Sequence, residues 1–424
     1  MAFSPQSFTN GNVLNDSDLN TMDGNIDEVR SSHKGAAQPP SLTLGTRWID
    51  DSTAIWSSNV YDGGGMLTES RIDPSSNLIM PVELRRKNLI WNGSLDIWQD
   101  GTSETGITAS SNRVADGYRF VVATHGTWTV DRSTTVPTVA QAGRNLNYSI
   151  RAACTTADTT VVAGSLAALR FTVEGYDYQE LYQQPQHLSF WVRSTLVGTY
   201  GVSLRNSGAD RSFVFTYSIS VANTWELKEF VLRDVPSGGT WDFTNGAGID
   251  INFTLAAGST FQTTANAWQN GDFFTTSAQA NLAALNTHTI NITDVRLHGG
   301  TIRSPVIVRS FNEMLSEAQR RFSKTFEYAT KPAQAVGSFL GALLLRNETA
   351  AANSGQWLYK VRMRATPTIT TYNPTQSASS WRNSADSINS TEVIQEISES
   401  AVNIDNGATS GTFLIHVTVD ARFT

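Results

Sequence analysis

Between residues 86 and 302 the chain alternates apolar and polar positions in short runs. Leu146, Tyr148 and Ile150 share one face, as do Leu188, Phe190 and Val192. The same period of two recurs in Phe213, Phe215, Tyr217 and Ile219, and in Ile249, Ile251, Phe253 and Leu255. Turn clusters such as Asn206-Ser207-Gly208, Ser237-Gly238-Gly239 and Asn245-Gly246 separate these runs. No helix-period stretch intervenes, so the pattern predicts a β-sandwich or jelly roll. Ile290 and Ile292 keep the phase while Val295 and Leu297 break it. A bulge near Asp294 is needed to return them to the inward face.

Two different patterns flank this region. In residues 1–85, Asp16 and Ser17 can cap a short helix carrying Leu19, Met22, Ile26 and Val29 at the spacing of an a/d seam. Two heptads do not hold a lone helix in water, so the seam must be buried, within its own domain or in a parallel oligomer. The stiff Gln38-Pro39-Pro40-Ser41 follows, and then GTRWIDDSTAIWSSNVYDGGG reads as a two-stranded hairpin. In residues 303–424, Phe311, Met314, Leu315, Ala318, Phe322 and Phe326 recur at helical offsets and predict a helix over about 310–328. Its apolar stripe makes Met314, Leu315 and Phe322, with Leu19, Met22 and Ile26, the expected oligomer contacts. Trp357, Tyr359, Val361 and Met363, then Phe413, Ile415, Val417 and Val419, alternate as strands of a terminal β-domain.

Composition narrows the function. Charged residues make up 16% of 424, and 31 Lys and Arg against 38 Asp and Glu give a formal charge of −7. A sequence-independent grip on nucleic acid needs clustered cations, so nucleic acid is not an expected partner. The apolar stretch 336–345 is half the length of a membrane span, and the first residues show no secretory signal pattern. The single cysteine, Cys154, supports neither a disulfide framework nor a cysteine metal cluster and reads as a small hydrophobe.

No phosphate loop, dinucleotide fingerprint, HExxH or GxSxG motif occurs. Glu174, Asp177 and Glu180, with Asp116, are the carboxylates to weigh for glycosidic hydrolysis, against a reading as strand-end charges turned to water. No catalytic residue is assigned, and no cofactor is expected. Trp98, Trp128, Trp241, Phe243 and Trp268 stand in or near loop-like stretches rich in Gly, Asn and Asp. Flat rings among hydrogen-bonding side chains suit a sugar, whose C–H face stacks on the ring. The alternative is that the rings plug the ends of the sandwich. A structural calcium ion would be held where Asp96 and Asp294 meet, with backbone carbonyls completing an oxygen shell. Arg320, Arg321 and Lys324 form a basic helix face, solvated or paired with Glu317 and Glu327.

Several of these stretches resemble one family. KNLIWNGSLDIWQDGTS with RVADGYRF, and further on WDFTNGAGIDINFTLAAGSTFQTTANAWQNGDFF, resemble the carbohydrate-binding-module-like jelly roll of bacteriophage tail fibre and virion appendage proteins. SFNEMLSEAQRRFSKTFEY is similar to the helix that follows it there, and VRMRATPTITTYNPTQSASSWRN with FLIHVTVDARFT to the C-terminal fibre β-domain. PPSLTLGTRWIDDSTAIWSSNVYDGGG is similar to a short attachment repeat near such fibres' N-termini. Three positions depart from the pattern: Asp100 replaces a basic residue, and Gly117-Tyr118 replace Arg-Trp.

The resemblance implies three segments: 1–85 for particle attachment and oligomerisation, 86–302 as the jelly roll, and 303–424 as helix plus β-domain. It implies a virion-surface subunit, on a tail fibre, a head or tail spike, or a gene transfer agent. Such a subunit, often a trimer, attaches to host cell-surface polysaccharide by non-covalent binding and docks on other particle proteins through its N-terminal segment. A capsule depolymerase and a purely structural collar or spacer are the alternatives.

Overall fold

The computed structural model describes residues 47–50, 56–61, 66–73, 78–81 and 87–424, the last stretch without 302, 304–308, 329, 348–352, 386 and 408–409. The chain divides into two compact units, Met1–Lys87 and Asn88–Thr424. In the first, β1 (Arg47–Asp50), β2 (Trp56–Tyr61), β3 (Met66–Asp73) and β4 (Leu78–Pro81) form an antiparallel meander in that order. The expected hairpin is its first half, with Trp48 opposite Asn59, and two further strands extend it to four. The seam of Leu19, Met22 and Ile26 lies outside the described residues.

The second unit begins with a two-sheet β-sandwich of jelly-roll type, and the chain as a whole is mainly β. Its strands are β5 (Ser103–Ile107), β6 (Tyr118–Ala123), β7 (Thr127–Ser133), β8 (Ser149–Thr156), β9 (Leu166–Glu174) and β10 (Gln186–Ser194). They continue with β11 (Gly198–Asn206), β12 (Arg211–Ile219), β13 (Glu226–Leu232), β14 (Ala247–Ala257), β15 (Trp268–Asn270) and β16 (Thr289–Gly299). Two short helices, α1 (Val139–Ala142) and α2 (Gly175–Tyr178), sit in the connections. Sheet I runs β13-β10-β16-β8-β7-β5 and sheet II runs β15-β12-β11-β14-β9-β6. Every inward position read from the alternation in β10, β12, β14 and β16 is buried in one shared core. The pairing of β10 with β16 slips between Ser189 and Trp191, and Asp294 adopts φ 51°. This is the expected bulge, and it brings Val295 and Leu297 back into the core.

The C-terminal region departs from expectation. Helix α3 spans only Phe311–Gln319, started by a capping box between Ser310 and Glu313. The chain then straightens into β17 (Phe322–Lys324), which pairs with the last strand, so Phe322 and Phe326 are not on the helix. Met314 and Ala318 are buried in the sandwich core with Leu315 packed against it, and Phe322 is 3% exposed. Met314 and Phe322 are thus spent inside the protomer and are withdrawn as oligomer contacts. The strands that follow are β18 (Leu343–Asn347), β19 (Asn353–Leu358), β20 (Thr368–Tyr372), β21 (Trp381–Asn383) and β22 (Asn389–Ser390). The last three are β23 (Glu392–Gln395), β24 (Ala401–Asn406) and β25 (Gly411–Asp420). Strand β25 pairs with β17, β20, β18 and β21, and Phe413, Ile415, Val417 and Val419 form a second core with Trp357 and Trp381.

Polar contacts seal this domain onto the sandwich. The Gln99 amide donates to Asp116 and to the Phe322 carbonyl, both at 2.9 Å. The Lys324 ammonium donates to the carbonyls of Gln99, Tyr328 and Thr330 at 2.5–2.9 Å. Burial lowers the Lys324 pKa to about 8, against the pull of Asp116 and Asp100. Asp100 itself faces Arg422 at 3.1 Å, which accounts for an acid at this position. Gly117, at φ 86°, lies against Phe171 and Trp91, where a Cβ would come within 2.7 Å of both rings.

Glu174, at the end of β9, is 2% exposed and takes Arg320 at 2.5 Å and Arg321 at 3.0 Å. Arg320, Arg321 and Lys324 thus follow the helix and form no basic face on it; Arg320 is half-buried and Arg321 buried in this seam, with Arg321 also 3.3 Å from Glu317. Removing both guanidinia in Arg320→Ala/Arg321→Met strands a buried carboxylate and is expected to cost about 3–5 kcal/mol in a urea unfolding titration. Adding Glu174→Leu should recover part of that loss, because the uncompensated charge goes with it.

Candidate functional site

The five aromatics read from the sequence separate into two groups. Trp98 and Trp128 are buried in the sandwich core, their indole N–H groups donating to the Leu95 and His125 carbonyls at 2.7 and 2.8 Å. They offer no face to a ligand and are withdrawn as sugar contacts. Trp241, Phe243 and Trp268 converge at one end of the sandwich, half-buried against the core. The Trp241 and Trp268 rings meet edge to face at 5.9 Å, and Trp268 packs in the same way on Phe213. Tyr182 lies 5.1 Å from Trp241 and 4.8 Å from Phe243, and the buried Tyr178 stacks on Trp241 at 5.8 Å.

The two tyrosines were not singled out in the sequence. Their signal is the i, i+4 spacing of Tyr178 and Tyr182, which the helical turn after α2 brings onto the same ring, Trp241.

The loops that present these rings are tied to one another. The Trp241 indole donates to the Gly238 carbonyl and the Trp268 indole to the Asp234 carbonyl, both at 2.9 Å. Gly239 turns at φ 86°, and a Cβ there would meet the Arg211 stem at 2.5 Å. Gly175 and Tyr176 of α2 donate backbone hydrogen bonds to Gly246 and Thr244, fastening the Trp241 loop beside Glu174. The Asp210 carboxylate accepts from the Thr240 amide at 3.0 Å, the Thr240 hydroxyl at 2.9 Å and the Asn206 amide at 2.5 Å. Burial of Asp242 works against its ionisation, but the Thr244 hydroxyl and amide outweigh it and lower its pKa. Half-buried aromatic faces, with Asp242 between Trp241 and Phe243 and Asn270 on the strand of Trp268, form a surface that can stack and hydrogen-bond a polar ring-shaped ligand.

The other candidate residues are accounted for differently. Asp294 is 2% exposed and meets Arg144 and Arg296 at 2.6 Å and Arg303 at 3.4 Å. Three guanidinia around one carboxylate repel a further cation, so Asp294 is not a calcium ligand. Asp96 accepts from Asn147 at 3.4 Å instead of completing a shared site. Glu174 is committed to Arg320 and Arg321, and Asp177 lies 4.0 Å from Arg321. Asp116 is buried, which raises its pKa, and it accepts from the Gln99 backbone and side chain. Cys154 is buried, which raises its thiol pKa, consistent with a packing role.

No protein-family model and no curated protein matches the chain. Among solved structures it is similar to the carbohydrate-binding module TmCBM61 in complex with β-1,4-galactotriose. That match has 10% identity, spans 50% of this chain and 99% of that one, and has a TM-score of 0.27. It is also similar to the family 11 carbohydrate-binding module of Clostridium thermocellum in complex with a β-1,3-1,4-mixed-linked tetrasaccharide. There the identity is 9%, the coverage 48% and 99%, and the TM-score 0.26. The CBM22-1 xylan-binding domain of Xyn10C from Paenibacillus barcinonensis gives 6% identity, 47% and 94% coverage, and a TM-score of 0.22.

Hydrogen bonds from Asn206 and Thr240 hold the Asp210 pKa below the ordinary aspartate value of 3.8. The tie between the two loops is therefore complete above pH 3.8 and is lost as the pH falls through the lower, folded-state value. Hydrogen exchange should show the protection of the Thr240 amide falling in that acid range. The corresponding curve for Asp210→Asn should be flat.

Proposed function

We propose that the chain is an attachment subunit of a bacteriophage or phage-like particle, and that its sandwich domain binds host cell-surface polysaccharide without covalent chemistry. The observation that carries the binding claim is the half-buried set of Trp241, Phe243, Trp268 and Tyr182, gathered at one end of the sandwich by loops of matched hydrogen bonds. Buried end plugs would be covered completely, as Trp98 and Trp128 are. The particle context rests on the resemblance of the sequence to tail fibre and spike proteins.

Weak contacts of this kind gain from repetition, since linked sites raise avidity by roughly 10²–10⁴. A homo-oligomer, as a trimer, supplies that repetition. Surface support for it comes from the C-terminal domain, where Leu340, Leu344, Leu358, Val393 and Ile397 are exposed. They take over the part first given to Met314 and Phe322. The N-terminal unit would dock the subunit on other particle proteins.

Binding of the purified protein to intact host cells and to their extracted polysaccharide tests this reading. Trp241→Ala and Trp268→Ala are each expected to weaken binding about tenfold or more, with an unchanged melting temperature for the variant compared. Wild-type protein that binds neither cells nor polysaccharide, or variants that only unfold, would move the structural-spacer reading ahead.

A further inference from the structure

The outward face of sheet II carries a polar network that the aromatic site does not use. The strand register sets Arg119 on β6 opposite Arg170 on β9, Arg170 opposite Asn252 on β14, and Asn252 opposite Ser203 on β11. On the next rung Thr172, Asp250 and Arg205 stand in line. Asp250, 3% exposed, accepts from Thr172 at 2.6 Å and pairs with Arg205 and, at 3.4 Å, Arg170. Arg170 also donates to Asn252 at 2.7 Å, and Arg205 reaches Asp272 at 3.0 Å. The segment after β14 covers much of this face, with Phe274 below both guanidinia and its carbonyl accepting from Thr254.

Arg119 is the member left over. It is half-buried on the edge strand of the sheet, and its Nε is shut from water without a hydrogen-bond partner. Among the described residues it forms no ion pair, since Asp250 and Asp272 are engaged by Arg170 and Arg205. Three guanidinia therefore share two carboxylates, a local excess of positive charge in a protein whose net charge is −7. Burial already lowers the pKa of both Arg119 and Arg170, with Asp250 opposing the shift. A partly desolvated cation whose neighbouring carboxylate is already held by two other guanidinia is costly unless something of opposite charge completes it. Val121, two residues along the same strand, and Phe261 are half-buried and give an apolar surface on the adjoining part of the face.

We propose that Arg119 is an anion contact, and that this edge of sheet II takes the carboxylate or sulfate of an acidic saccharide whose ring lies on the adjoining apolar surface. The proposal rests on the reading of the sandwich as a glycan-binding domain and adds the charge class of the glycan. A guanidinium is suited to the task because its fork matches both oxyanions with paired hydrogen bonds.

The test is calorimetric titration of the full chain with oligogalacturonate and oligoalginate, which carry carboxylates, and with carrageenan oligosaccharides, which carry sulfates. The carboxyl-reduced and desulfated counterparts serve as neutral probes. Wild-type protein should prefer at least one acidic probe to its neutral counterpart by tenfold or more, and added salt should weaken that preference. Arg119→Gln should remove the preference and leave binding of the neutral probe unchanged, while Arg119→Lys retains part of it. The wild-type preference and its salt dependence hold the test even where Arg119→Gln lowers the melting temperature. Equal binding of acidic and neutral probes, or an Arg119→Gln variant that folds and keeps the preference, overturns the inference and leaves the glycan reading standing. Wild-type protein that binds none of the probes overturns the inference too, and host polysaccharide then decides the glycan reading separately.

Discussion

The buried ion pair of Glu174 with Arg320 and Arg321 is the constraint around which the larger unit is organised. It lies where β9 ends, where α2 begins and where α3 gives way to β17. A carboxylate taken so far out of water is tolerable only with its charge and lone pairs satisfied, so the C-terminal domain has one favourable seat on the sandwich. The same anchor acts on the aromatic end. Gly175 and Tyr176 follow Glu174 directly and hold the loop carrying Trp241 and Phe243, so that the seam and the candidate site are joined through two backbone hydrogen bonds.

Contacts inside the protomer explain two of the three positions at which the chain departs from the pattern it resembles. Asp100 is paired with Arg422 from the other domain, and Gly117 lets the backbone pass close against Phe171 and Trp91. Both belong to internal packing, in a region where contact with a ligand would otherwise be sought. Trp98, one residue from Gln99, is part of the same arrangement.

The strands of the sandwich were legible because a period of two leaves little freedom: a residue is inward or outward, and a change of phase, as after Ile292, demands a bulge. Helix α3 was legible at its start, where Ser310 and Glu313 cap it, but not at its end. Phe322 and Phe326 continue the helical spacing, and only the pairing of β17 with β25, distant in sequence, draws them into a strand. Sorting the tryptophans failed for a related reason. Asparagine and glycine around Trp98 signal a turn, and a turn is silent about which way its aromatic points, while Trp128, just after Gly126, stands at an inward position of strand β7. The exposed Leu344 did carry a signal, because three successive leucines, Leu343, Leu344 and Leu345, make a strand apolar on both faces. Asp96 and Asp294 were placed in one neighbourhood by strand order, yet Asp294 is taken by Arg296 and Arg303, which follow it closely in sequence, and by Arg144 from a distant segment.

The indole hydrogens of Trp241 and Trp268 are both consumed by nearby backbone carbonyls. What they leave is ring surface with no donor of its own, which under the proposed glycan reading would present the same shelf to every sugar epimer. Discrimination among sugars would then reside in those side chains of the surrounding turns that do not hold the loops in place. A scaffold divided in this way can exchange one ligand for another by a few loop substitutions, leaving its core and its domain seam untouched.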